Sequence, residues 1–243
     1  AKYFAVQEIN LKDIINNVIF AVATDDSRPM LKGVHFEARE YTLSAVATDG
    51  YRFAMSKKAL EEKVDEISAT IPSRSLSELS KLLTDSDNVL KVFIENNYLT
   101  VAMENTKLYT RLLGGQYIKY DNIVPKDFMS TLLVNKETFE KALNTAAIMS
   151  RSEKNNLVVL NVEEYNMNIS STSQYGTAKE NVTISLSGKD VRCAYNSRYI
   201  NDCLKVINAE TIKMEFAQHN SCVITIYDSD EVLYFILPVK QIV

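Results

Sequence analysis

Glycine, proline, cysteine and histidine are all scarce: six, four, three and two residues in a chain of 243. Each shortage closes off a class of chemistry. The few glycines form neither a GxGxxG run nor a P-loop, so a backbone cradle for nucleotide phosphates is not expected. Of the two histidines, His35 sits in an apolar strand-like run and His219 in the polar run Gln218-His219-Asn220. Nothing places a serine or cysteine nucleophile beside either, and there is no nucleophile elbow. Cys193, Cys203 and Cys222 are odd in number and lack CxxC spacing. That argues against a disulfide framework or a zinc site and for buried free thiols in a reducing cytoplasm. No run of about 18 apolar residues exists to span a membrane. Ala1-Lys2-Tyr3-Phe4 has no signal-peptide pattern and opens directly on a strand-like run, as if a preceding part had been removed. No Asp/Glu cluster has metal-ligand spacing, and Asp25-Asp26 and Asp228-Ser229-Asp230 read as turn residues. The expectation is a chain with no catalytic residues of its own, no metal and no cofactor.

What is present is apolar and evenly charged. Apolar residues make up 46%, enough for real cores, and the length suits one large domain or two of about 120 residues. The formal net charge of -4 excludes a uniform coat for nucleic acid but not a local basic stripe.

Hydrophobic periodicity reveals a repeat. Leu11, Ile14, Ile15, Val18, Ile19 and Val22 predict a helix over 10–23. Strands follow over 35–40 and 42–57, then another leading to Ile71-Pro72-Ser73, then a short helix over 74–83 with Leu76, Leu79 and Leu83 inward. Residues 89–95 and 98–113 read as a hairpin across Asn96-Asn97. The order restarts after Gly114-Gly115. A helix is predicted over 134–149, strands over 157–163 and 166–178, a short helix over 197–207, then two more strands. Asn10 and Asn135 are 125 apart, as are Ala21 and Ala146 and Leu108-Tyr109 and Leu233-Tyr234. Glu40-Tyr41 and Glu164-Tyr165, Ser73-Arg74 and Ser197-Arg198, and Lys81 and Lys205 are each 124 apart. So steady an offset predicts two tandem α+β domains of one fold, 1–124 and 125–243, with helices on one face of antiparallel sheets. The boundary region is Gly115 to Ser130, where Pro125 and polar residues gather.

The organising stretch is Leu43-Ser44-Ala45-Val46-Ala47-Thr48-Asp49-Gly50-Tyr51-Arg52-Phe53-Ala54. Its first half alternates as a strand, and Thr48-Asp49-Gly50 then tolerates a turn or bulge. Val-Ala-Thr-Asp-Gly-Tyr-Arg-Phe-Ala resembles the signature strand of the bacterial DNA polymerase III beta subunit, the DNA sliding clamp family. Pro29-Met30-Leu31-Lys32-Gly33-Val34 and Tyr234-Phe235-Ile236-Leu237-Pro238-Val239-Lys240 resemble it too, and the similarity runs over essentially the whole chain in order. The resemblance implies the second and third of that family's three domains, with the first absent. It also implies a processivity factor that encircles double-stranded DNA as a homodimer ring when full length, an accessory subunit of a DNA-directed DNA polymerase in the cytoplasm.

Two surfaces follow. Arg74 and Lys81, and Arg198 and Lys205, are each seven apart, so each pair shares one helical face opposite the leucines. Glu78 and Asp202 lie near those faces. The ordinary reading is a solvated face with ion pairs one turn apart. The resemblance implies instead that such helices line the pore and meet phosphates without reading bases, with Arg28 a further DNA-binding cation. The second surface is a peptide cleft. By resemblance it comprises Leu31, Thr48, Gly50, Tyr51, Arg52, Phe53, Ile118, Asn122, Ile123, Phe235, Ile236, Leu237, Pro238, Val239 and Lys240. There the replicative polymerase catalytic subunit, the clamp loader and other proteins with a clamp-binding motif would dock short linear peptides. Period two puts Tyr51 and Phe53 on one side of a strand and Arg52 on the other, unless a bulge at Gly50 rotates it. Ile118, in Tyr117-Ile118-Lys119-Tyr120, stands where relatives usually have proline, and Asn122 where they often have arginine. A clamp-derived peptide-binding scaffold not loaded on DNA, and an enzyme with a deep pocket around a perturbed titratable group, are the competing readings.

Overall fold

The computed structural model describes residues 2–151 and 155–240. It divides into two compact units, Ala1–Lys119 and Tyr120–Val243, five residues before the boundary read from sequence.

In the first unit, β1 (Lys2–Gln7) runs straight into α1 (Glu8–Asn16). This helix starts earlier and ends sooner than the predicted 10–23. Beyond Asn16 the bonds tighten to i→i−3, Val18 N to Ile15 O and Ala21 N to Val18 O, and Ile19–Ala21 is a 3-10 turn. The apolar stripe is still used, since Leu11, Ile14, Ile15, Val18 and Ala21 are all buried. β2 (Gly33–Thr48) and β3 (Arg52–Pro72) form one long antiparallel hairpin, with Gly33 opposite Pro72 and Thr48 opposite Phe53. The predicted break at Tyr41 is absorbed by register shifts around Glu40, whose φ is 53°. The predicted continuation through Gly50 is broken instead, because Asp49–Tyr51 is the hairpin's turn. α2 (Ser73–Leu82) follows, with Leu76, Leu79 and Leu83 buried as expected. β4 (Val89–Glu95), β5 (Tyr98–Ala102) and β6 (Lys107–Arg111) complete a sheet of order β1-β4-β5-β6. Asn96 and Asn97, at φ 50° and 64°, make the left-handed two-residue turn that such a hairpin favours. The predicted strand 98–113 is cut by a turn in which Met103 N donates to Thr106 O at 2.8 Å.

The second unit repeats the plan. β7 (Ser130–Asn135) enters α3 (Lys136–Ala146), which ends in a 3-10 turn at Ala147–Ser150. β8 (Leu157–Glu163), β9 (Asn166–Ser173), β10 (Gly176–Thr183), β11 (Ser185–Gly188) and β12 (Val191–Asn196) lead to α4 (Ser197–Val206). β13 (Thr211–Phe216), β14 (Cys222–Ile226) and β15 (Val232–Ile236) close it, three strands where the sequence suggests two. The predicted strand 166–178 is two strands joined at Gln174-Tyr175. Within this unit the strand orders are β11-β7-β13-β14-β15 and β10-β9-β8-β12. The run β7-β13-β14-β15 matches β1-β4-β5-β6 position by position.

The repeat is not evenly spaced. Ser73 and Ser197 open α2 and α4, 124 apart, but Gln7 and Asn135 precede α1 and α3, 128 apart. Asn10 is therefore not the counterpart of Asn135. Counted from helix start to helix start, the first unit carries four more residues, and they lie before β2: Glu8 to Gly33 spans 25 positions and Lys136 to Leu157 spans 21, whereas β2 to α2 and β8 to α4 both span 40.

Candidate functional site

The turn at the end of β2 is built from the side chains of its own sequence. Thr48 Oγ1 accepts from Gly50 N at 3.1 Å and donates to Arg52 O at 2.6 Å. Asp49 Oδ1 accepts from the backbone N–H groups of Tyr51 and Arg52, at 2.9 and 3.1 Å. Its Oδ2 takes the Arg52 Nε at 3.1 Å, in an ion pair largely shielded from water. Arg52 Nη2 also donates to Phe20 O at 2.7 Å, and its guanidinium lies over the Phe20 ring at 5.4 Å. Gly50 has φ +91°, and a Cβ there would meet Arg28 Nη1 at 2.4 Å. Arg28 Nη2 in turn donates to Asp49 O at 2.7 Å, so Arg28 braces this turn rather than standing on a helix with the other expected cations.

This geometry corrects the strand reading. Tyr51 lies in the turn, 62% exposed, whereas Phe53 is 2% exposed inside the core. They do not share a side, because the period of two starts only at Arg52. Leu31 and Thr48 are buried, Arg52 is half-buried, and Gly50 and Ile118 are exposed. The exposed polar and aromatic surface here is therefore that of Tyr51, Gly50 and Arg28. Neither Asp49 nor Phe20 is in the expected set, although an Asp three residues before an Arg at a turn is a readable local signal.

In the second unit, Ile236 is fully buried and Phe235 nearly so, while Leu237 is 40% exposed. The first two are core and offer a ligand little surface. Pro238 ends the strand as expected. The tail does not trail away, because Val239 N donates to Ala194 O at 2.8 Å, on the outer edge of β12. Gln241–Val243 lie outside the described residues. Between this tail and the 218–220 turn lies a groove of about 330 Å³. Val159, Cys193 and Ala194 form its inner wall, Pro238 and Val239 one side, and Arg192, His219 and Lys240 bring polar groups. The turn is held by Tyr195 Oη donating to Asn220 O at 2.5 Å and Asn220 Nδ2 donating to Arg192 O at 3.2 Å. His219 and Asn220 both have left-handed φ, 63° and 62°. The sequence reading omits this second wall, since in one dimension β12 and residues 218–220 carry no mark of nearness to Val239. Asn122 is exposed and Ile123 half-buried.

The helices carry their cations outward. Arg74 and Lys81 are exposed on α2, Arg198 and Lys205 on α4. Lys81 Nζ pairs with Glu78 Oε1 at 2.8 Å, and that bond, with the Lys81 charge and then Arg74, holds the Glu78 carboxyl below its ordinary range. Lys205 Nζ stands 3.9 Å from Asp202 Oδ1. Among the described residues, neither the Arg74 nor the Arg198 guanidinium makes a hydrogen bond within the protein.

The remaining reactive groups are buried. Cys193, Cys203 and Cys222 are free and buried, and burial pushes the Cys193 thiol up to about 12. His35 is half-buried, stacked on Tyr117 at 4.7 Å, with Nδ1 2.9 Å from Thr70 Oγ1 and Nε2 3.2 Å from Glu37 Oε1. Burial lowers its pKa and Glu37 partly opposes that. Among the described residues no group of three His, Cys, Asp or Glu side chains is arranged to hold a metal ion. Among the described residues no helix is long and apolar enough to cross a membrane.

Comparison with known proteins agrees with both units. The family profile of the DNA polymerase III beta subunit central domain matches residues 5–119, and that of its C-terminal domain matches 121–240. The beta sliding clamp of Halalkalibacterium halodurans is 33% identical over 246 residues, covering 98% of this chain and 64% of the relative. That of Streptococcus pneumoniae is 35% identical over 209 residues, covering 85% and 55%. The crystal structure of the Bacillus subtilis DNA polymerase sliding clamp superposes with TM-score 0.95 at 28% identity, covering 98% of this chain and 64% of that one. The Streptococcus pneumoniae DNA polymerase III beta chain does so with 0.93 at 32% identity, covering 99% and 65%. The chain thus spans less than two thirds of the relatives' own length. With one profile on each unit and the same fold throughout, this chain belongs to the DNA polymerase III beta subunit family, as its central and C-terminal domains.

Proposed function

We propose that the chain is part of a sliding clamp: a processivity factor that encircles duplex DNA and tethers polymerase and clamp loader through short peptides. It does no bond chemistry itself. The observation that carries this reading is the groove beside Val239, joined to a family match over both units. Its inner wall is apolar, its polar groups include Arg192, His219 and Lys240, and its outer wall is a pinned tail. That suits an extended peptide, which takes affinity from a few apolar side chains and direction from polar groups at the rim. The braced turn at Asp49–Tyr51 and the exposed Leu237 are the other surfaces offered to such peptides. The cations of α2 and α4 would attract phosphates without selecting bases.

Burying two apolar peptide side chains contributes about 1.5–3 kcal/mol each before ordering costs, so affinity near micromolar is expected. The test is titration of a fluorescent peptide bearing a Gln-Leu-x-Leu-Phe motif against the intact chain and a variant lacking residues 239–243. Saturable binding that the deletion weakens strongly, with the fold kept, supports the proposal. No binding at high micromolar peptide, or binding untouched by the deletion, overturns it.

A further inference from the structure

A second concavity, of about 640 Å³, lies in the first unit between the end of α2, the start of β4 and the Met103–Thr106 turn. Here the loop after α2 wraps the start of α1. Glu8 N donates to Asn88 O at 2.8 Å and Ile9 N to Ser86 O at 3.0 Å. The Glu8 side chain folds inward to 8% exposure, and its Oε1 accepts from Thr84 N at 2.7 Å. Among the described residues its Oε2 has no hydrogen-bond partner, and Glu8 lines the cavity. A carboxylate taken this far from water is costly unless something answers its charge. The place of Glu8 in the first turn of α1 answers part of that charge, and tethering Thr84 uses one oxygen, which leaves Oε2 open to the cavity.

The rest of the wall fits a cation on an apolar stem. Neither lysine nor arginine lines the cavity, whereas Glu104 does, and Asn88 and Asn105 add acceptor-bearing side chains. Leu82 and Val89 are about half exposed there, a pair of large apolar side chains left facing water. With Thr84 N already on Oε1, a guanidinium seeking two parallel bonds would have to share that oxygen. A point donor, an ammonium, fits the single free oxygen better. We propose that this cavity binds a primary alkylammonium group, the head of a partner protein's lysine or of a free polyamine. Glu8 takes the charge, and Leu82 and Val89 cover the methylene stem.

The inference does not depend on the clamp reading and is tested separately. Amide chemical shifts of the isotope-labelled chain are followed during titration with N-acetyl-lysine methylamide, with spermidine, and with the neutral isostere N-acetyl-norleucine methylamide. The expected result is saturable shifts confined to Thr84, Asn88, Val89 and Asn105 with at least one of the amines and none with norleucine. The amine that saturates at lower concentration identifies the source. Glu8→Gln keeps an acceptor for Thr84 and should weaken binding about tenfold or more. Val89→Lys places an ammonium in the cavity from its exposed wall and should abolish the titration without touching Glu8. Shifts that scatter or fail to saturate, an equal response to norleucine, or unchanged affinity in a normally folded Glu8→Gln chain would overturn the proposal.

Discussion

Gly50 occupies a backbone conformation that costs other residues about 1–2 kcal/mol, and its α-carbon faces the tip of Arg28. Gly50→Ala should lower stability by about that amount in urea unfolding, since the arginine tip can move but φ cannot. His35 makes a pH prediction. Its folded pKa lies below the ordinary 6.5, so the unfolded chain binds more protons between the two values. Its contribution is full above about 6.5 and is lost as pH falls through the folded pKa. Thermal melts between pH 7 and 5 should show this loss, and His35→Gln should flatten it. Cys203 and Cys222, which line no groove described above, predict silence: at pH 8 they should react with a thiol reagent in the native chain only as fast as it unfolds, because both are buried. Prompt modification of either thiol in the native chain would contradict the burial. At this scale the sequence reads well for backbone demands, as in Thr48-Asp49-Gly50, and poorly for side-chain direction. Tyr51 and Phe53 separated because one residue of turn placed them in different environments.

Elements show how two copies of one plan use different local devices. α3 and α4 are capped by asparagine side chains: Asn135 Oδ1 accepts from Thr138 N at 2.9 Å, and Asn196 Oδ1 from Arg198 N at 3.0 Å. α1 and α2 follow Gln7 and Pro72, which make no such bond. Asn135→Ala and Asn196→Ala should each cost about 1 kcal/mol by chemical denaturation, and Gln7→Ala less than about 0.5. Equal costs at all three positions would mean the caps contribute nothing special. The leucine face of α2 and the Asn96-Asn97 turn are legible because helix period and left-handed asparagines are local properties. The ends of the first helix are not, since i→i−3 tightening after Asn16 follows from what packs beyond it.

For the whole molecule, charge decides what kind of DNA contact is possible. With a net charge of -4, the proposed DNA association would rest on local cations, and the Lys81–Glu78 pair, exposed to solvent, would weaken one of them. Replacing Arg74, Lys81, Arg198 and Lys205 by serine in the ring assembled from full-length protein should lower the slope of log affinity against log salt by at most about 3.6 for each subunit of the ring. An unchanged slope and unchanged loading would favour a peptide scaffold that is not loaded on DNA. The sequence by itself determined the two-fold repeat, the α+β class, the exposed cation pairs and the end of the last strand at Pro238, because periodicity, spacing and proline geometry act within a few residues. Only the tertiary structure decided that Phe53, Phe235 and Ile236 are core rather than cleft. It alone brought β12 and the 218–220 turn to Val239, and Glu8 to Thr84 and the Met103–Thr106 turn. Those groupings join residues up to 98 positions apart, and the register and packing that set them leave no trace in any short stretch of chain.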